Sequence, residues 1–167
     1  AGPEFTLFKE AKFNQGDVEV QYRSSMDLDK PREKKSWGKI KLTDITIKHP
    51  SGFQPLVNLT GRISFDDEHI AIDNIQGWYG DSPITLSGQL TPKSKSLIDF
   101  DVSLKSTNWT QDDFENIPYF QSLKFSGPLS SEISLAGNRD SFTFKNKFDL
   151  TQVAYKFEDV IHKKENN

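Results

Sequence analysis

Ile98-Asp99-Phe100-Asp101-Val102-Ser103-Leu104-Lys105 alternates apolar with polar or charged residues without a break. Successive side chains of a strand point to opposite faces, so this period predicts a strand with one dry and one wet face. The same period extends outward. Upstream, Val57, Leu59, Ile63 and Phe65 share one parity, as do Ile84, Leu86 and Leu90; downstream, Phe142, Phe144, Phe148 and Leu150 do the same. Thr85, Ser87, Gln89, Thr143, Lys145 and Lys147 fill positions between them. One-sided strands of this kind predict an all-β, mainly antiparallel fold whose dry face needs a cover.

Turn chemistry divides the chain. Asn14-Gln15-Gly16 predicts a hairpin joining strands Thr6–Phe13 and Asp17–Ser25. Met26–Ser36 is polar, contains Pro31 and reads as a loop. Within Trp37–Lys48, Ile40 and Leu42 share a parity that Ile45 and Ile47 abandon, which predicts a bulge near Thr43-Asp44. Strands Leu56–Phe65, His69–Tyr79, Pro83–Leu90 and Leu97–Ser106, separated by short turns, read as a meander. Thr110–Ile117 predicts one short α-helix, with Thr110 as N-cap, Asp113 in the capping-box position and Pro118 as its stop. Strands resume at Ser122–Ser126, Ser130–Ala136, Ser141–Leu150 and Gln152–Phe157. Residues 1–5, Ala1-Gly2-Pro3-Glu4-Phe5, read as a protease-site remnant and a cloning dipeptide outside the fold. Residues 6–160 are expected to form a single domain, a piece of a longer protein, and residues 161–167 a fraying polar tail.

Composition narrows the function. The chain has 167 residues, 34% hydrophobic and 27% charged, with a formal net charge of −3. That charge offers no basic field for nucleic acid. The absence of cysteine rules out disulfides and thiolate chemistry. No segment approaches the ~20 apolar residues needed to cross a bilayer as a helix. His49, His69 and His162 lack metal-ligand spacing. Asp66-Asp67-Glu68 lacks the alternating ligands of a calcium loop and reads as a hairpin turn. Asp99 and Asp101 sit two apart on a polar strand face, and nothing marks the substrate cleft across which a glycosidase sets its two carboxylates, so they read as solvated strand positions. Neither a Gly-x-Ser-x-Gly elbow nor a glycine-rich phosphate loop is present. No enzyme, cofactor or metal is therefore expected. Trp78 and Tyr79 are adjacent, so one joins the dry face and the other is exposed.

One stretch carries a resemblance: Leu59-Thr60-Gly61-Arg62-Ile63-Ser64-Phe65, then Gly77-Trp78-Tyr79-Gly80-Asp81-Ser82-Pro83-Ile84, then Leu86-Ser87-Gly88-Gln89-Leu90. With the acidic segment at Thr110–Ile117 and a further Ser126-Gly127, it resembles the AsmA-like superfamily of envelope proteins over roughly residues 42–159. The resemblance implies a strongly twisted, U-shaped open sheet, a β-groove whose concave side is a greasy trough. It also implies a periplasmic setting and a parent anchored in the inner membrane. The implied partners are phospholipid acyl chains, adjoining repeats of the same parent and other envelope proteins. The groove lining would be Leu59, Ile63, Phe65, Ile84, Leu86, Ile98, Phe100, Val102, Leu104, Phe142, Phe144 and Phe148. Two alternatives stay open. One is a self-closed β scaffold that binds partners at its strand edges. The other is a carbohydrate-binding β-sandwich using Trp78 or Trp109.

Overall fold

The computed structural model describes residues 12–26, 29, 34–48, 54–93, 97–114, 123–157 and 161–163. Its strands are β1 (Lys12–Met26), β2 (Lys34–Lys48), β3 (Leu56–Asp66), β4 (Ile70–Tyr79), β5 (Ser82–Pro92) and β6 (Ile98–Trp109). After a 3-10 turn at Gln111–Phe114 come β7 (Leu123–Ser126), β8 (Leu129–Gly137), β9 (Phe142–Asp149), β10 (Ala154–Phe157) and β11 (Ile161–Lys163). Eight strands form one open sheet in the order β1-β2-β3-β4-β5-β6-β8-β9, and β11-β10-β7 form a second. Every pairing is antiparallel. The large sheet is a meander because short turns can join only antiparallel neighbours.

Register carries the sequence period across the sheet. One unbroken row of facing residues crosses all eight strands: Val20, Ile40, Ile63, Ile72, Gly88, Val102, Leu135 and Phe144. A second row, two residues along, runs Tyr22, Gly38, Phe65, Ile70, Leu90, Phe100, Gly137 and Phe142. Apart from the Tyr22 hydroxyl, both rows are apolar side chains or glycine. The row between them, which includes Gln21, Lys39, Ser64, Gln89, Asp101 and Thr143, lies on the opposite face. Gly38 is required by close approach. A β-carbon there would meet the Phe65 ring at 2.4 Å and the Gln21 carbonyl oxygen at 2.5 Å. The Phe65 ring that covers it stacks on Tyr22 at 6.4 Å.

Bulges interrupt this order along a line across β2, β3 and β4. Asp44, Asn58 and Asn74 take φ values of 54°, 54° and 47°. Asp and Asn tolerate that left-handed conformation better than other side chains. The bulge expected near Thr43-Asp44 is present, with the Asp44 N–H donating to Thr60 Oγ1 at 3.1 Å. It returns Ile45 and Ile47 to the dry face, where they face Leu59 and Leu56. The bulge at Asn58 was not foreseen. It moves Val57 to the wet face opposite Trp78, so Val57 does not share the face of Leu59 as its parity predicts. Bulges sharpen twist and bend the strands they occupy, so curvature is built into this line.

Several expectations are corrected. Asn14-Gln15-Gly16 makes no hairpin. It is an irregularity inside the single strand β1, where Gly16 takes φ 107° and packs on the Asp44 carbonyl. The first part of the predicted strand Thr6–Phe13 lies outside the described residues. The loop predicted over Met26–Ser36 is shorter, since β1 runs to Met26 and β2 begins at Lys34. The α-helix predicted over Thr110–Ile117 is a 3-10 turn of four residues as far as Phe114, and residues 115–117 lie outside the described residues. The expected capping contact is nevertheless there, with the Thr110 N–H donating to Asp113 Oδ2 at 2.7 Å. Within the tail expected to fray, Ile161–Lys163 forms a strand paired to β10.

Candidate functional site

Strand parity and register place all the predicted lining residues on one face of the large sheet. They do not share one environment. Below the bulge line the face is capped. Each of β2, β3, β4, β5, β6 and β8 contributes one buried apolar residue there: Ile45, Leu59, Ile75, Ile84, Trp109 and Leu129. Leu59 and Ile84 thus belong to a core, at 7% and 6% exposure, and are unavailable as an open lining.

The cap is built from the segments that leave the sheet. Val153, Phe114, Phe125 and Tyr155 pack into the same cluster, and Phe125 and Tyr155 face each other across β7 and β10. Edge-to-face ring contacts link Tyr79 to Trp109 (6.0 Å), Trp109 to Phe114 (5.6 Å) and Phe114 to Phe125 (5.7 Å). Such contacts add to area burial because ring edges are positive and ring faces negative. The Trp109 indole N–H donates to Ser131 Oγ at 2.7 Å, so the largest ring of the cap is both buried and satisfied.

A buried polar latch holds the cap to the sheet. Ser82 is fully buried, and its Oγ lies 2.5 Å from Asp113 Oδ2 and 2.6 Å from the Asn108 carbonyl oxygen. Thr110 Oγ1 also donates to Asp113 Oδ2, at 2.9 Å. Gly80, with φ 59°, brings the β4–β5 turn close enough that a β-carbon would lie 2.7 Å from the Asp113 carboxylate. Burial pushes the Tyr79 phenol above its ordinary pKa, and the nearby Asp113 charge pushes the same way. The Tyr79–Ile84 phrase therefore belongs to the capped end: it seats the 3-10 turn.

Above the bulge line no described element covers the face. Phe65, Phe100 and Val102 are half-buried there, and Ile63 sits at the margin against the buried cluster; Leu86 and Leu104, in register with Ile75, lie below the line and pack against that cluster. The outer residues there are open, with Phe142 63%, Phe144 60% and Ile98 45% exposed; Phe148, in the row of Ile84 below the line, is 41% exposed at the sheet edge. Val18, Val20, Ile40, Ile70, Ile72 and Leu135 complete this surface, and Ile133, level with Leu104, borders it. The sequence reading missed them, although the alternation at Val18-Val20 and Ile133-Leu135 was available to it.

The opposite face is charged and cross-linked. Lys105 and Glu132 face each other across β6 and β8 and pair at 3.0 Å. Asp99, half of the acidic pair weighed for catalysis, accepts from Asn138 Nδ2 at 3.2 Å and lies 3.9 Å from Lys93 Nζ. Asp66 accepts the N–H groups of Glu68 and His69, which makes the acidic cluster a turn. Among the described residues, no group of three or more His, Asp or Glu side chains is placed to hold a metal ion. Trp78 is exposed on this polar face and Trp109 is buried, so of the pair considered for sugar stacking only Trp78 is accessible. No described helix is long and apolar enough to cross a membrane. No family model, characterised protein or solved structure matches the chain.

Proposed function

We propose that the uncapped half of the apolar face binds lipid hydrocarbon, and that the chain is a groove segment of an AsmA-like envelope protein. In this role it guides phospholipid acyl chains between the inner and outer membranes from a periplasmic position. Adjoining repeats of the parent would extend the groove. One observation carries the proposal: two rows that are apolar apart from one hydroxyl cross the whole sheet side by side, and no described element covers them. A soluble surface rarely leaves so continuous an apolar patch without an occupant.

The rows favour an elongated occupant lying across the strands. At about 4.8 Å per strand spacing, a row that crosses the sheet is ~34 Å long. Half of a bilayer's hydrocarbon thickness, about 15 Å, corresponds to one extended acyl chain and spans only about three spacings. Each methylene removed from water contributes about 0.8 kcal/mol, so a chain resting on several rings is held well without any polar contact. Movement along the row then exchanges one apolar neighbour for another.

Photo-crosslinking tests the proposal directly. A photoreactive residue at Phe100 or Phe144 is expected to capture lipid, identified by mass spectrometry, while one at Ile84 under the cap is not. Equal capture at the two depths, or none at Phe100 in folded protein, would sink it.

A further inference from the structure

The eight-stranded sheet ends in β1 at one edge and β9 at the other, with no described strand beyond either. Sheet edges present backbone donors and acceptors that template the addition of another strand. These two edges complement each other and oppose themselves. On the polar face β1 carries Asp17 and Glu19, and β9 carries Lys145 and Lys147. The cross-sheet row that begins at Val20 ends at Phe144. Continuing that row onto another β1 sets Phe144 beside a second Val20, and antiparallel counting then sets Lys145 opposite Glu19 and Lys147 opposite Asp17. Directions agree as well. Strand direction alternates across the eight strands, so β9 runs against β1 and meets the next β1 antiparallel. An even strand number also preserves the alternation of hydrogen-bonded and non-hydrogen-bonded pairs. Pairing β9 with β9 would set lysine against lysine, and β1 with β1 carboxylate against carboxylate, both unfavourable.

We propose that this chain associates with a second copy of itself edge to edge, β9 of one copy pairing with β1 of the next. Lys145–Glu19 and Lys147–Asp17 pair on the polar face, and Phe144–Val20 on the apolar face. Val20 and Phe144 are each 60% exposed and would lose water contact together. Lys147 also faces Glu132 of its own copy and Glu19 faces Lys41, so each intercopy pair shares one partner with a charge in its own sheet. The contact is heterologous, so it leaves an edge free at each end and assembly stays open. The inference rests on the edges alone and does not depend on what the apolar face binds.

The chain has no cysteine, so an introduced pair reports without background. In the whole chain, Glu19→Cys combined with Lys145→Cys brings two thiols to a cross-strand Cα separation of about 5 Å, within disulfide reach. The expected result is a reductant-sensitive ladder of dimers, trimers and longer species. Glu19→Cys with Lys147→Cys, out of register, gives a weaker ladder. Sedimentation of the unsubstituted chain shows average mass rising with concentration. Lys145→Glu with Lys147→Glu weakens association by roughly fivefold to tenfold, and a partner copy carrying Asp17→Lys and Glu19→Lys restores it. A chain that stays monomeric at every concentration overturns the proposal, as does a disulfide formed within one copy, which would mean that the sheet closes on itself.

Discussion

The two halves of the apolar face are written in the same residue types and behave differently. In the capped half, Ile45, Leu59, Ile75, Ile84, Trp109 and Leu129 are buried against the 3-10 turn, β7 and β10. In the open half, Phe142, Phe144 and Val20 stay largely in contact with water. Strand alternation states only that a face is apolar; cover is decided by elements elsewhere in the chain. The capped half can therefore carry the stability of the domain, which leaves the open half free to exchange its occupant without unfolding.

Paired truncations break or sharpen that contrast most directly. Trp109→Ala removes a buried ring and orphans the Ser131 contact, so a loss of about 3–5 kcal/mol is expected by chemical denaturation. Phe144→Ala at the open rim should stay within about 0.5 kcal/mol while reducing lipid capture. Comparable losses of stability at both sites would erase the distinction between the halves.

Next in size is the latch. Ser82→Ala leaves the buried Asp113 carboxylate without one of its donors, and about 1–3 kcal/mol should be lost. Enhanced proteolysis near the 3-10 turn would mark the cap as the part released, whereas uniform destabilisation would argue against a local latch. Gly38→Ala tests the open half in the opposite sense, by filling space. Its methyl group must displace the Phe65 ring and press on the Gln21 carbonyl, so about 1–3 kcal/mol of overpacking is expected. Loss of near-ultraviolet dichroism from the Tyr22–Phe65 stack should accompany it.

The smallest effect is electrostatic and belongs to neither half. Hydrogen bonding from Lys105, then its charge, holds Glu132 below its ordinary value of 4.5. The N–H groups of Glu68 and His69 hold Asp66 below 3.8. A depressed carboxylate contributes stability that is present above its unfolded value and lost as pH falls through the folded one. A shallow loss of thermal stability should therefore begin below those ordinary values. Salt should blunt the part due to Lys105 and leave the Asp66 turn nearly unchanged, because its partners are backbone groups. A midpoint flat down to strongly acid pH would contradict the assignment.

Period-two alternation made the strands of the meander legible, and with them the shared face of Ile98, Phe100, Val102 and Leu104. The parity break at Ile45 exposed one bulge. The bulge at Asn58 left no such mark, because Val57 is as apolar as the Leu56 that replaces it on the dry face. The long β1 was not legible, because Asn14-Gln15-Gly16 has hairpin chemistry and only its pairing with β2 shows it to be an irregularity. Which apolar residues would be covered was not legible at all. The cover over Leu59 and Ile84 comes from Phe114, Phe125, Val153 and Tyr155, which are far from both in sequence and carry no local sign of where they pack.

The meander has a further consequence, for folding. From β1 to β6 each strand pairs only with its neighbours in the chain, and within the large sheet the one skip is from β6 to β8. Contacts of that kind close short loops, so strand pairing can begin at any hairpin and spread outward, as in a one-dimensional array. The latch between Ser82 and Asp113 spans a longer interval and crosses that skip's origin. Its loop-closure cost therefore exceeds that of any hairpin in the meander.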